Sequence, residues 1–214
     1  MPEPIDLFFS FRSPFSALAS HDYVRLAAEY DVRIILRPVL PLAVRRDDFF
    51  RPENRPWMEH VRLDARRRAA FLGRTLIFPT PDPVVIDLAT MTIARNQPHI
   101  HRLTRLGVEA ERQGHGLGFA AAVSQFLFGG AKGWDQGDQL AKAVAGAGLD
   151  LAAMEAALDG GDHDAEITAN QQALTDAGHW GVPTGTVRGE PFFGQDRVET
   201  LRWRLDQLGV SRRK

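Results

Sequence analysis

Residues 5–16 read IDLFFSFRSPFS, and this stretch decides the fold because it joins a buried strand directly to the start of a helix. Residues 5–9 form a short apolar run that ends at a Ser, Arg and Pro cluster, which is typical of a buried strand. Ser13 offers a capping hydroxyl, and Pro14 stands at the first helical position, where its missing N–H is harmless. Apolar side chains then recur at helical spacing, at Phe15, Ala19, Tyr23, Leu26 and Tyr30.

The two ends of the chain predict an α/β protein. Residues 32–36 are a second β-rich run, so the first 40 residues read as strand, helix, strand. Residues 184–188 and 191–193 flank Gly189 and Glu190 and predict a hairpin with a tight glycine turn. A last helix begins near Asp196, and its apolar face is formed by Val198, Leu201, Leu205 and Leu208. Together the ends spell βαβ followed by ββα, which is the order of a thioredoxin-like fold.

Between these ends the pattern changes to helical segments broken by Gly and Pro. The predicted helices are 58–72, 85–96, 100–112, 119–128, 136–147 and 151–158. We therefore expect a thioredoxin-like fold with a large all-helical insertion. The thioredoxin-like domain would be discontinuous, comprising residues 1–44 and 163–214, and residues 45–162 would form the helical insertion domain.

Composition excludes several classes of function. The 26 basic and 27 acidic residues leave a net charge of -1, which predicts no nucleic acid or anionic membrane as partner. The first residues lack the pattern of a secretory signal, and no apolar run approaches the roughly 20 residues of a membrane span, so we expect a cytoplasmic protein. The chain has no cysteine, which argues against a disulfide oxidoreductase. Any thiol chemistry must arrive with a ligand.

Ser13 stands where a helix N-terminus favours an anion. A serine without an adjacent base is a poor nucleophile, so its better role is to donate a hydrogen bond to a ligand's thiolate. On residue type and spacing alone, a plain helix cap explains Ser13 better. Val182 and Pro183 precede a strand, and in a thioredoxin-like arrangement their loop lies beside the first helix, where a peptide ligand can pair with it. The alternative is an ordinary loop proline.

Four segments in this order resemble the 2-hydroxychromene-2-carboxylate isomerase family, which is close to the kappa-class glutathione transferases and the DsbA-like thioredoxin branch. They are SPFS at 13–16, Asn54 in a polar proline-rich loop, GVPT at 181–184 and FGQDR at 193–197. The resemblance implies glutathione as cofactor and Ser13 as the catalytic serine that contacts its sulfur. It also implies that Val182, beside a cis Pro183, binds the cysteinyl unit through its backbone. Asn54 is implied as a further contact, and Asp196, with Gln195 near it, as the ligand of the γ-glutamyl end. The alternatives are a plain turn residue for Asn54 and the cap of the last helix for Asp196.

The second substrate is less well defined by the resemblance. Members of the family often carry a lysine and a tyrosine in the helix after the asparagine loop, where this chain has Trp57 and His60. We expect these two side chains, with Phe11 and Phe15, to line the substrate pocket. The same helix carries Arg62, Arg66, Arg67 and Arg68, which could meet ligand carboxylates or simply be solvated. No metal site is expected, because the histidines lack a helical His-x-x-x-His spacing.

The leading hypothesis is a glutathione-dependent isomerase that acts on an aromatic-derived conjugated acid in aromatic catabolism, through a reversible thiolate adduct. A kappa-like glutathione S-transferase, in which the sulfur stays attached to the electrophile, is the enzymatic alternative. A non-catalytic thioredoxin-fold binding module is the alternative from another class. Related folds suggest a homodimer.

Overall fold

The computed structural model describes residues 1–87, 90 and 92–213. A four-stranded sheet has the order β2-β1-β5-β6, formed by β1 (Glu3–Phe9), β2 (Val32–Pro38), β5 (Thr184–Val187) and β6 (Glu190–Phe193). Strand β1 pairs parallel with β2 and antiparallel with β5, and β5 pairs antiparallel with β6. The intervening strands β3 (Ile86–Asp87) and β4 (Thr92–Ile93) form a separate two-stranded ribbon.

The helices occur in the positions that a thioredoxin-like fold with a helical insertion requires. Helix α1 (Pro14–Glu29) joins β1 to β2, and α9 (Val198–Gln207) closes the chain. The segment between β2 and β5 carries α2 (Leu42–Arg45), α3 (Arg55–Phe71), α4 (Pro98–Arg112), α5 (Gly116–Phe128), α6 (Gln139–Gly146), α7 (Leu151–Leu158) and α8 (His163–Asp176). The predicted fold class is confirmed by this arrangement.

The two faces of the sheet are covered by different helices. Leu7 pairs with Gly185, and the Tyr23 hydroxyl of α1 lies so close to Gly185 that a Cβ there would meet it at 2.2 Å. The opposite face carries Phe8, which clusters with Leu174 of α8. Residues alternate between the faces of a strand, so these contacts place α1 on one side of β1 and α8 on the other.

The hairpin between β5 and β6 is tight because two consecutive residues adopt positive φ. Arg188 has φ 49° and Gly189 has φ 81°, between the paired residues Val187 and Glu190. This is the geometry of a two-residue turn that matches the twist of its strands. The predicted hairpin is therefore confirmed, with its turn at Arg188 and Gly189 and not at Gly189 and Glu190.

The helix predicted at 85–96 is wrong, and its residues 88, 89 and 91 lie outside the described ones. Ile86 pairs with Ile93 across the β3–β4 ribbon instead. The buried Gln97 side chain bonds both the N–H and the carbonyl of Val85, at 2.9 and 2.7 Å. The β-branched residues of the ribbon and the two hydrogen bonds from Gln97 to Val85 favour extended backbone over a helix.

Helix α8 was not predicted, and the start of α9 differs from expectation. Among the apolar residues of α8, Ile167 and Leu174 are buried, too few to produce a clear helical stripe. Helix α9 begins at Val198 with Arg197 at its N-cap, and the 3₁₀ turn Gln195–Arg197 precedes it. Asp196 therefore does not cap the last helix.

Candidate functional site

The junction of β1 and α1 holds Ser13 at the N-cap of the helix. Its hydroxyl oxygen accepts a hydrogen bond from the Ser16 N–H at 3.1 Å, and its own N–H donates to the Ser10 carbonyl at 3.0 Å. Pro14 occupies the first helical position, as predicted. The cap and the turn before it hold the Ser13 side chain in one orientation at the end of the strand.

The Val182 loop faces Ser13 across the site, from 169 positions later in the chain. The Ser13 hydroxyl donates to the Val182 carbonyl at 3.4 Å, and the Val182–Pro183 peptide bond is cis, as the family resemblance implies. Hydroxyl hydrogen bonds are usually 2.7–2.8 Å long, so this contact is weak. A stronger acceptor placed between the two residues would take the Ser13 proton.

The N-terminus of α1 favours negative charge, although not every position of its first turn offers a free N–H group. Pro14 has no N–H, and the Ser16 N–H is taken by the Ser13 hydroxyl. The Phe15 N–H donates to no acceptor among the described backbone and side-chain contacts. No acidic residue stands in the first turn. The helix dipole and this N–H are thus available to an anion.

Ser13 and Ser16 have the spacing of the Cys-x-x-Cys pair that thioredoxin-like redox proteins carry. The chain has no cysteine. Ser16 is buried, and its hydroxyl oxygen has no hydrogen-bond partner among the described residues. The site therefore keeps the position of a redox pair without the sulfur that a redox reaction requires.

A buried polar network lies beside the Val182 loop. The Gly194 N–H donates to the Pro183 carbonyl at 2.9 Å, which brings Gln195 next to the loop. The Gln195 side chain is 4% exposed and donates to the Asp22 carboxylate of α1 at 2.6 Å. The side-chain amide oxygen of Gln195 accepts a hydrogen bond from Nε of Arg68.

Asp22 is ionised within this network. Burial acts to raise its pKa, but hydrogen bonds from Arg74 and Gln195 outweigh it and hold the pKa of the carboxyl below its ordinary value. Arg74 is bidentate to Asp22 and also donates to the Leu18 carbonyl at 2.7 Å. The network thus ties α1 to the turn at Gln195 and to the end of α3.

The structure brings only some of the residues implied as glutathione contacts to Ser13. Val182 meets it directly through its carbonyl, Pro183 follows Val182 in the chain, and Gln195 is linked to Pro183 through Gly194. Asp196 is exposed, with a carboxylate oxygen 3.4 Å from the Arg197 guanidinium. Asn54 instead closes its own loop, because its amide donates to the Asp48 carbonyl at 2.7 Å.

The residues expected in the substrate pocket are dispersed. Phe11 is 1% exposed and stacks edge-on with Phe119, so it belongs to the core. Phe15 is partly buried on the first turn of α1. Trp57 packs on Phe49 and is 43% exposed, and His60 is exposed on the same helix.

Two further features near the site were not singled out from the sequence as site residues. Arg12, adjacent to Ser13, forms a bidentate ion pair with Asp82 of the insertion at 2.8 and 2.9 Å. Beside Val182, the ring of His179 stacks on Phe193 at 3.9 Å and on Trp180 at 5.3 Å. Trp180 is 51% exposed. The rings form an apolar surface next to the loop, and only their neighbourhood in sequence to Val182 could have signalled it.

Other potential binding features lie elsewhere. Two open surface grooves run between α5 and α6 and between α1 and α5, and neither includes Ser13. Over the described ranges, no group of three His, Asp or Glu side chains is placed to hold a metal ion. None of the described helices is long and apolar enough to cross a membrane.

The fold and site together define a thioredoxin-like protein whose helix start presents serine to a cis-proline loop. The chain belongs to the DsbA-like thioredoxin domain family, whose model matches residues 4–206. No match was found among curated proteins.

Solved structures share this fold along nearly the whole chain. A 2-hydroxychromene-2-carboxylate isomerase is 23% identical with a TM-score of 0.68, and the match covers 96% of this chain and 95% of the isomerase. A probable DsbA oxidoreductase from Streptomyces coelicolor is 17% identical with a TM-score of 0.67, covering 96% and 89% of the two chains. The cytosolic disulfide reductase DsbM from Pseudomonas aeruginosa, solved with GSH, is 16% identical with a TM-score of 0.59, covering 95% and 99%.

Proposed function

We propose that this protein is a glutathione-dependent isomerase acting on an aromatic-derived conjugated acid of the 2-hydroxychromene-2-carboxylate type. The observation that carries the proposal is the placement of the Ser13 hydroxyl at the start of α1, 3.4 Å from the Val182 carbonyl, in a chain without cysteine. A disulfide exchange at this position has no sulfur to use. A bound thiol would find a hydrogen-bond donor and a helix N-terminus.

The backbone of Val182 fits a peptide ligand. Its carbonyl accepts only the long contact from Ser13, and its N–H donates to no acceptor among the described hydrogen bonds. A free N–H and carbonyl on one residue can pair with an extended peptide as an added strand. Glutathione bound in this way would have its cysteinyl sulfur beside the Ser13 hydroxyl.

Ser13 would act by stabilising the thiolate. A free thiol titrates near pH 8.5, and a downward shift of one or two units stabilises the anion by about 1.4 to 2.7 kcal/mol. The Ser16 N–H holds the Ser13 oxygen as an acceptor, so the hydroxyl proton points away from the helix and is available to the sulfur. The helix dipole and the Phe15 N–H add to the same effect.

When bound, glutathione would supply a nucleophilic thiolate for reversible addition to the conjugated double bond, which would permit isomerisation without consuming the cofactor. The residues of this chain would hold the sulfur, keep it in the thiolate form and position the acid. Trp57, His60 and Phe15 are proposed to contact the acid, Asn54 and Asp196 to contact glutathione. The buried Phe11 is left out of this set because it has no exposed surface to offer.

Two of the fold relatives support this choice of chemistry. One is itself a 2-hydroxychromene-2-carboxylate isomerase, and another was solved with GSH. In addition, the four segments that resemble the isomerase family include both sides of the Ser13–Val182 contact. A kappa-like transferase would use the same thiolate, so the reaction outcome has to separate the two.

The test combines binding and turnover. Calorimetric titration with glutathione, followed by ultraviolet detection of its thiolate at neutral pH, should show binding together with a lowered thiol pKa. With 2-hydroxychromene-2-carboxylate added, the isomer should form while glutathione is conserved. Conjugate accumulating in step with substrate loss would favour the transferase, and binding without a fall in the thiol pKa would favour a non-catalytic module.

A further inference from the structure

The structure distinguishes four clustered arginines of α3, which are Arg62, Arg66, Arg67 and Arg68. Arg62 and Arg66 lie over the ring of Phe78, with their guanidinium carbons 5.1 and 5.5 Å from its centre. Arg67 is exposed, and no contact of its side chain is found among the described residues. Arg68 alone of the four reaches the turn at Gln195.

That turn is within reach of a tripeptide bound at Val182. Gly194 is hydrogen-bonded to Pro183, so Gln195 and Asp196 follow one and two residues after a direct contact with the loop. An extended chain spans about 3.3–3.6 Å per residue, and a tripeptide therefore covers roughly 10 Å. A ligand whose central residue pairs with Val182 can place a terminal residue against this turn.

Among the described residues, the charges of the network leave one cation without a counterion. Arg68 and Arg74 carry two positive charges, whereas Asp22 is the one carboxylate bonded within the network. Arg74 is bidentate to Asp22, but Arg68 contributes only its Nε, to a neutral amide. Its two terminal nitrogens have no acceptor among the described contacts. A guanidinium with that edge free matches a carboxylate.

The side chain of Arg68 is held in place before any ligand binds. Gln195 fixes its Nε, and the guanidinium carbon lies 5.0 Å from the centre of the Phe71 ring. Gln195 is in turn anchored by Asp22. An arginine that is already ordered loses less conformational entropy on binding than a freely solvated one such as Arg67.

We infer that Arg68 binds the α-carboxylate of the γ-glutamyl residue of glutathione, and that Gln195 positions it through the buried Asp22. The inference rests on glutathione as the ligand, and it adds the residue that reads its terminal carboxylate. The exposed carboxylate of Asp196, next in the chain, would meet the ammonium of the same residue. A zwitterionic terminus would thus be recognised by one charge of each sign.

The test compares glutathione with an analogue that lacks only this carboxylate, 4-aminobutyryl-cysteinyl-glycine. Calorimetry on the full chain should show that the native protein binds glutathione at least tenfold more tightly than the analogue. Arg68→Gln should bind both with nearly the same Kd, within a factor of two. Arg67→Gln removes the same charge one residue away, and it should keep the native preference.

Each possible result has a clear meaning. Equal binding of the two ligands by the native protein, or an unchanged preference in Arg68→Gln, would overturn the assignment. If Arg67→Gln lost the preference for glutathione to the same extent, that preference would reflect general positive charge, and the assignment of Arg68 would be overturned. If Arg68→Gln fails to fold, Arg68→Lys keeps the charge and should show an intermediate preference, whereas a fully native preference would contradict the role of the guanidinium edge. Isomerase activity is a separate readout, so its absence together with the expected Kd pattern would defeat the proposed reaction and leave Arg68 as a glutathione contact.

Discussion

Replacing Ser13 by alanine separates the two roles that one hydroxyl has in this structure. As a helix cap, the oxygen accepts the Ser16 N–H at 3.1 Å, and its loss should lower the free energy of unfolding by about 1 kcal/mol. The contact with Val182 is 3.4 Å long and should add little to that. As a donor to a thiolate, the hydroxyl is worth about 1.5 to 3 kcal/mol, so turnover should fall about 10- to 150-fold. The thiol pKa of bound glutathione should rise by about 1 to 2 units.

The assay pairs denaturant unfolding with steady-state kinetics and ultraviolet titration of the bound thiol. Asp150→Ala is a matched control, because the Asp150 carboxylate caps α7 by accepting the Ala152 N–H at 2.9 Å. It should lose similar stability and keep native turnover. If Ser13→Ala were destabilised like the control but isomerised its substrate at the native rate, Ser13 would be a cap and the mechanism would be refuted.

Three further predictions concern the core, the buried network and the second substrate. Asp22→Asn should lower the free energy of unfolding by about 3 kcal/mol. Because the pKa of Asp22 is lowered in the native protein, the ionised carboxylate stabilises the fold above its unfolded pKa, and this stabilisation is lost as pH falls through the native pKa. The free energy of unfolding of the variant should therefore vary less with pH below about 4. Denaturant unfolding at several pH values checks this, and an unaltered acid profile would contradict it. Gly185→Ala should cost about 1 to 3 kcal/mol, since the new Cβ would meet the Tyr23 hydroxyl at 2.2 Å; combining it with Tyr23→Phe should recover part of the loss in thermal unfolding, and additive losses would speak against the clash. Trp57→Ala should raise KM for the acid several-fold without changing the Kd of glutathione, whereas Trp203→Ala, at a more exposed tryptophan on α9, should change neither.

Local sequence signals were sufficient where an element's backbone preference and its burial agree. The junction at Ser13 is an example, since the capping hydroxyl, the proline and the apolar stripe all specify the same helix start. The ribbon at 86–93 is the counterexample. There an apolar stretch suits either a helix or extended strands, and a side chain from outside the stretch, Gln97, selects the strands.

The residues of the site also divide into those with contacts to chain neighbours and those whose role depends on packing against distant residues. Asn54 and Trp57 belong to a segment whose resemblance to the isomerase family is local, and the structure attaches them to Asp48 and Phe49, their own neighbours in the chain. The clustered arginines of α3 cannot be told apart by sequence. Only packing against the Gln195 turn makes Arg68 different from Arg67.

From its own order of strands and helices the sequence determined an α/β chain with a capped helix after a buried strand and a helical insertion, and its composition determined that it has no thiol to contribute. The thioredoxin-like order also predicted that the Val182 loop lies beside Ser13, 169 positions away, whereas tertiary structure alone decided that Arg68 meets Gln195, across 127 positions. The physical reason is that such contacts depend on how β1 pairs with β5 and how α1 and α3 pack beside them. That pairing is set by burial summed over the whole core, which no short stretch of residues encodes.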